Sequence, residues 1–133
     1  MKRIVMVIMC VVMALAMFGC GQSNEQKYMS LRKEVETEMK AYDKVVLGIP
    51  DHRKERFAPS KERFREQYLP HHEKALAEIK EIHKRVMPKI DEMAKLASSD
   101  VKLKNDFDNF GRRMAVILQN GLEAETEIIN KYK

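Results

Sequence analysis

From Tyr28 onward, hydrophobic residues recur at intervals of three and four. The first set is Tyr28, Leu31, Val35, Met39, Tyr42, Val46 and Ile49, a spacing that puts all seven on one face of a helix. Ser23, with Gln26 three residues on, has the chemistry of a capping box for that helix, and Gly48 and Pro50 stop it. Residues 48 to 59 carry two of the four prolines and many charges, and read as the longest irregular segment. Ser60 then offers an N-cap, with Glu62 in the first turn favouring the positive helix end.

The second set is Phe64, Tyr68, Ala75, Ile79, Ile82, Val86, Ile90, Met93 and Ala97. Pro70 and Pro88 interrupt it. Each removes a backbone hydrogen bond and crowds the preceding turn, so each is expected to kink or break the helix, Pro70 above all. Ala97 to Asp100 form a tight link that ends in N-cap chemistry. The third set, Leu103, Phe107, Phe110, Met114, Ile117, Gly121, Ala124 and Ile128, steps by four and three as in a coiled-coil-like bundle. Gly121 in that seam either admits a neighbour or weakens the helix. No strand-like alternation persists for more than a few residues. The expected fold is all-α: an up-down-up three-helix bundle, with a possible short fourth helix before Pro70, following a cleaved signal peptide.

The amino end has a different texture. Lys2 and Arg3 precede fifteen unbroken apolar residues, Ile4 to Phe18, and then Gly19, Cys20 and a polar run from Gln22 to Glu25. A basic head, an apolar stretch and a small residue at the cut describe a secretory signal. An uncleaved anchor is the competing reading, but the uncharged stretch from Ile4 to Gly21 is 18 residues, short of the roughly 20 that a spanning helix uses.

The residues Met17, Phe18, Gly19 and Cys20 resemble the lipobox of bacterial lipoproteins, although the family prefers Leu where Met17 stands. The resemblance covers the signal only. It implies that the Cys20 thiol takes a diacylglyceryl group, that the chain is cut just before it, and that the new amine is acylated. One acyl chain anchors a protein only marginally, at about 0.8 kcal/mol per buried methylene, whereas two or three hold it. Gly21, in place of the Asp that retains such proteins in an inner membrane, implies an outer-membrane address where there is an outer membrane. The expected division is therefore a signal at 1–19, a lipidated cysteine and polar tether at 20–27, and a helical domain at 28–133.

Cleavage leaves 114 residues, one domain by size. Loss of Lys2 and Arg3 lowers the basic count from 25 to 23 against 20 acidic residues, so the formal charge falls from +5 to +3. So mild an excess does not point to nucleic acid. Cys10 leaves with the signal and Cys20 is alkylated, so no disulfide staples the domain and the core alone must hold it.

The candidate chemistry is sparse. Arg53, Lys54, Arg56, Lys61, Arg63 and Arg65 form a basic run, interrupted by Glu55, Glu62 and Glu66. One reading is a patch for anionic envelope ligands such as lipid phosphates, lipopolysaccharide or cell-wall polymer, with Phe57 and Phe64 beside it. The favoured reading is intramolecular. Residues 115 to 130 have no basic residue but include Glu123, Glu125 and Glu127, and antiparallel packing of the second and third helices would bring the two clusters together.

His71 and His72 diverge by about 100° on a helix, and His72 and His83 stand about 16 Å apart along the axis, so no metal site is expected and no cofactor is inferred. His72 and His83 read as packed or half-exposed bundle residues, His52 as a solvated loop residue. The segment from Asp106 to Gly111 fails as a calcium loop, since Phe110 and Ile117 stand where oxygen ligands are needed. Asp106 and Asp108 are expected to serve the start of the third helix, Asp108 also pairing with Arg112. Met39, Met93 and Met114 fall on the apolar seams, where packing explains them.

With no nucleophile elbow, no Cys/His couple and no phosphate loop, an enzyme is not expected. The sequence points instead to a membrane-tethered envelope module that contacts a protein partner or its own copies.

Overall fold

The computed structural model describes residues 21–54 and 57–133. Cys20 and the signal expected at 1–19 lie outside the described residues, as does Arg56.

Among the described residues, five helices follow in order: α1 Asn24–Leu47, α2 Lys61–Gln67, α3 Leu69–Ala97, α4 Val101–Asn109 and α5 Gly111–Tyr132, with a 3-10 turn at His52–Lys54 between α1 and α2. There is no strand among the described residues. The fold is an all-α bundle. Its three arms are α1, α3 and the broken rod α4–α5, and α2 is the short fourth helix before Pro70.

Local chemistry sets the boundaries. Ser23 accepts from the Gln26 amide at 3.2 Å while the Gln26 side chain accepts from the Ser23 amide at 3.0 Å, so α1 begins in a full capping box. The polar tether expected as far as residue 27 is therefore shorter, because helix begins at Asn24. Gly48 caps the other end. Ser60 accepts from the Arg63 amide to start α2, and Asp100 accepts from the amides of Lys102 and Leu103 to start α4. Pro70 sits in the first turn of α3, where its missing N–H costs nothing, and the joint falls at Tyr68 (φ −113°, ψ −40°). Pro88 does not break α3, which runs through it.

Cross-helix pairs fix the directions. Lys27 faces Glu92, Glu34 faces Lys89 and Glu38 faces Arg85, so α1 and α3 are antiparallel. Glu73 faces Lys133, while Lys80, two turns further along α3, borders Gln119, Glu123 and Thr126, so α3 and α5 are antiparallel too. Tyr28 reaches Asp106 and Tyr42 reaches Ile117, so α1 runs parallel to the α4–α5 rod. This is the up-down-up order, with α3 the central arm against which both others pack.

The core runs along α3. Ile79, Ile82, Val86, Ile90 and Met93 are buried against Val35, Met39 and Tyr42 of α1 and against Leu103, Phe107 and Leu118 of the broken rod. Burial of each such side chain contributes about 1.5–3 kcal/mol. Val46, expected on the α1 seam, is 41% exposed, and Val45 packs against the core instead.

The larger difference lies at Phe110. The third rod breaks there (φ −112°, ψ −66°), beside Gly111, whose bare Cα admits the Phe107 ring. The break turns the rest of the rod by one position. Gly111, Leu118, Glu125 and Ile129 are buried, whereas Ile117 and Ala124 of the expected seam are exposed. Arg32 secures the joint from α1, with its guanidinium 4.4 Å over the Phe110 ring and its Nε 3.1 Å from Asp106.

Candidate functional site: a histidine–glutamate floor beneath a cleft

The re-phasing of α5 brings a carboxylate into the core. Glu125 is only 8% exposed and His72, on α3, only 3%. Their Nδ1 and Oε2 atoms are 2.6 Å apart. A buried charge is tolerated only with a partner, and each of these residues is the other's. The contact of Nδ1 with Glu125 fixes the ring in orientation, and its second nitrogen is left for something else. That atom, Nε2, is buried and has no hydrogen-bond partner.

Around His72 stands an aromatic cluster. Phe64 of α2 is fully buried, lies nearly parallel to His72 at 5.6 Å between centroids, and stacks on Tyr132 at 3.8 Å. His52 meets Phe64 edge-on at 5.1 Å and His72 at 6.2 Å. His52 is thus a half-buried packing residue and not the solvated loop residue expected from sequence. Two arms with no Cys and no disulfide are tied together here by stacked rings.

His52, His72, Glu125 and Tyr132 also border a cleft of about 980 Å³. α1 ends at Leu47, while α5 continues to Tyr132, so the last two turns of α5 have no helix of α1 beside them. The walls are Val46, Leu47 and Ile49 on one side and Ala124, Ile128 and Tyr132 on the other, with His72 and Glu125 between them and Asp51, Arg53, Glu127 and Lys131 as further lining.

Among the described side chains of the basic run, Arg53, Arg63 and Arg65 take separate partners. Arg53 Nε is 3.0 Å from Asp51 Oδ1, two residues away. Arg63 Nε donates to Gln67 at 3.0 Å. Arg65 donates from Nε to the Tyr132 carbonyl and from its terminal nitrogen to the Lys133 carbonyl, both at 2.6 Å, and so caps the negative end of α5. Lys61 is exposed. The backbone of Lys54 lies in the 3-10 turn, and Arg56 is outside the described residues.

The start of α2 does lie beside the end of α5, as antiparallel packing implies, but the partners differ from those expected. Arg65 takes backbone carbonyls, Glu125 turns inward to His72, and Glu123 accepts from Gln119 at 2.7 Å. At the other end, Asp106 serves Arg32 and Tyr28 and does not cap a helix start, while Asp108 pairs with Arg112 at 2.8 Å as expected.

Sequence reasoning placed Glu125 on a solvated acidic edge and so missed the pair. The available signal was the Gly111, Leu118, Glu125 spacing of seven, parallel to the expected seam and one residue behind it. Among the described residues, no group of three or more His, Asp or Glu is arranged to hold a metal ion, and no helix is long and apolar enough to cross a membrane. No protein-family model matches the chain, and neither the curated proteins nor the solved structures contain a match to it.

Proposed function

We propose that the chain is a lipid-anchored protein of the cell envelope, held through acyl groups on Cys20 and facing the periplasm, and that it works as a helical interaction module whose working end is the one away from the membrane. The lipobox-like residues Met17 to Cys20 support the anchor. The observation that carries the module reading is where the exposed apolar side chains stand. Val46 (41%) and Leu47 (84%) are exposed side by side on the cleft lining where α1 finishes, whereas Met29, Val101, Val116 and Ile117 are exposed at other places on the bundle. Large apolar residues left in water together are what a partner surface covers.

The tether favours the same orientation. Only residues 21–23 separate Cys20 from α1, and the 24 residues of α1 rise about 36 Å at ~1.5 Å each. A bundle held at its lower end by so short a link would present Leu47 to the periplasm.

The test is intact mass and fractionation of the wild type beside Cys20→Ala, followed by a photo-crosslinking residue placed at Leu47 or, for comparison, at Lys33. Acyl mass on residue 20, membrane recovery lost in the variant, and one discrete adduct from position 47 alone are expected. An unmodified chain that begins elsewhere overturns the anchor. Equal adducts from both positions, or none from 47, overturn the module.

A further inference from the structure

The cleft also has a chemical preference, and it does not depend on whether Cys20 is acylated. The geometry points to a binding site for a small amphipathic alcohol, its apolar body between the Val46–Ile49 and Ala124–Ile128 walls and its hydroxyl hydrogen-bonded to His72 Nε2. The site has the size for it. Ligand pockets run to about 300–1,000 Å³, and the cleft is about 980 Å³. It also has a built polar point, because His72 is 3% exposed, is held by Glu125 at 2.6 Å through Nδ1, and keeps Nε2 without a partner. A buried polar atom left unmatched costs about 1–3 kcal/mol.

The choice of hydroxyl follows from the neighbours. When the imidazole is neutral, with its proton on Nδ1 toward Glu125, Nε2 can only accept; when the ring is protonated, Nε2 can only donate. A hydroxyl satisfies both states. A carboxylate or phosphate suits only the second and meets Glu125 and Glu127 in the same cleft. An ammonium group suits only the first and meets Arg53 and Lys131. A metal ion finds no set of three ligands. Phe64 and His52 both pack on the His72 ring, at 5.6 and 6.2 Å between centroids; of the two, His52 shares the cleft lining and stands on the three-residue turn His52–Lys54 and not on a helix. In the proposed complex the His52 side chain moves aside to open Nε2 to the cleft.

The experiment is photoaffinity labelling of the full chain in phospholipid nanodiscs. The probe is a ten-carbon primary alcohol bearing a diazirine near its middle, with the alkane of the same length and diazirine position as the matched control, and labelled residues are mapped by mass spectrometry. Labelling confined to 46–53 and 124–132 is expected, reduced about tenfold for the alkane and about tenfold in His72→Phe, which keeps a ring in place and removes Nε2.

Leu47→Glu is the second variant. It lies at the rim, 84% exposed, so folding is undisturbed, and a charge at the cleft mouth should suppress labelling. If His72→Phe fails to fold, the alkane and Leu47→Glu decide the matter. Equal labelling by alcohol and alkane, labelling spread over other faces, or a folded His72→Phe protein labelled like the wild type would overturn the assignment.

Discussion

Tyr42 of α1 fills the space that a side chain at Gly121 would need. A Cβ built on Gly121 overlaps the Tyr42 hydroxyl and comes within 3.0 Å of two ring carbons. The glycine in the seam thus admits a neighbour, and the phenol closes the gap between two arms that otherwise meet mainly through α3. Gly121→Ala is expected to cost about 1–3 kcal/mol by overpacking, offset by roughly 1 kcal/mol from alanine's better helix propensity. In a Tyr42→Ala background the same change should be neutral or stabilising. Chemical denaturation of the four proteins in the cycle reads the coupling. Equal effects in both backgrounds would show that the two residues do not compete for space.

Tyr28 makes the corresponding tie at the lower end. It is fully buried and donates to Asp106 at 2.8 Å. Burial first, and then that hydrogen bond, push its hydroxyl well above the ordinary tyrosine range. A raised pKa means that the folded state holds the proton more tightly. The contribution is therefore fully present below the unfolded value of about 10 and is lost as the pH rises toward the folded one. Wild type should be more stable than Tyr28→Phe at pH 8, by about 1.5–3 kcal/mol for a bond to a charged acceptor, and this advantage should shrink as the pH rises above 10. Urea midpoints of both proteins at pH 8 and pH 11 check it. A constant difference would mean that the hydroxyl does not titrate with unfolding.

Much of the fold was legible because it depends on local signals. Ser23, Ser60 and Asp100 cap helices by short-range chemistry, Pro70 forces a joint, and the α3 face from Ala75 to Ala97 is buried at every expected position. The candidate site was not legible, because it depends on one dihedral joint. Phe110 has no proline to announce it, and the turn it introduces moves the α5 face by one residue, exposing Ile117 and burying Glu125. Periodicity alone scores the two faces almost equally, since Leu118 and Ile129 match Ile117 and Ile128 in hydrophobicity. His52 was missed for a related reason. Its packing comes from a loop folding over Phe64, and no spacing rule describes that.

The α1–α3 surface pairs predict behaviour in acid. Arg85 donates two bonds to Glu38, at 3.0 and 2.9 Å, and this holds the Glu38 carboxyl below the usual glutamate range. A depressed pKa contributes stability above the unfolded value of about 4.3, and that contribution is lost as the pH falls through the folded one. Arg85 is half exposed, so the pair should contribute only about 0.2–1 kcal/mol at neutral pH, weakened by salt. Glu38→Gln should therefore be slightly less stable than wild type at pH 7 in low salt and indistinguishable from it near pH 3. A difference that persists at pH 3 would assign the effect to packing of the side chain and not to its charge.

His72 and Glu125 allow stability to be separated from purpose. Breaking a buried pair by removing one member leaves the other without a partner, and Glu125→Ala should cost about 3–5 kcal/mol for that reason. Replacing both residues with leucine removes the need for any partner. Buried ion pairs exchanged for apolar residues of similar volume are often neutral or stabilising, so the double variant His72→Leu, Glu125→Leu should recover most of the single-variant loss. Thermal melting of the two singles and the double measures this directly. Additive losses would mean that the pair is not coupled and that each residue is needed for its own packing. Recovery would mean that the fold tolerates an apolar floor beneath the cleft, so that the histidine, its glutamate and the partnerless Nε2 add chemistry the bundle does not need in order to stand. The double variant is then the protein in which loss of binding cannot be ascribed to loss of structure.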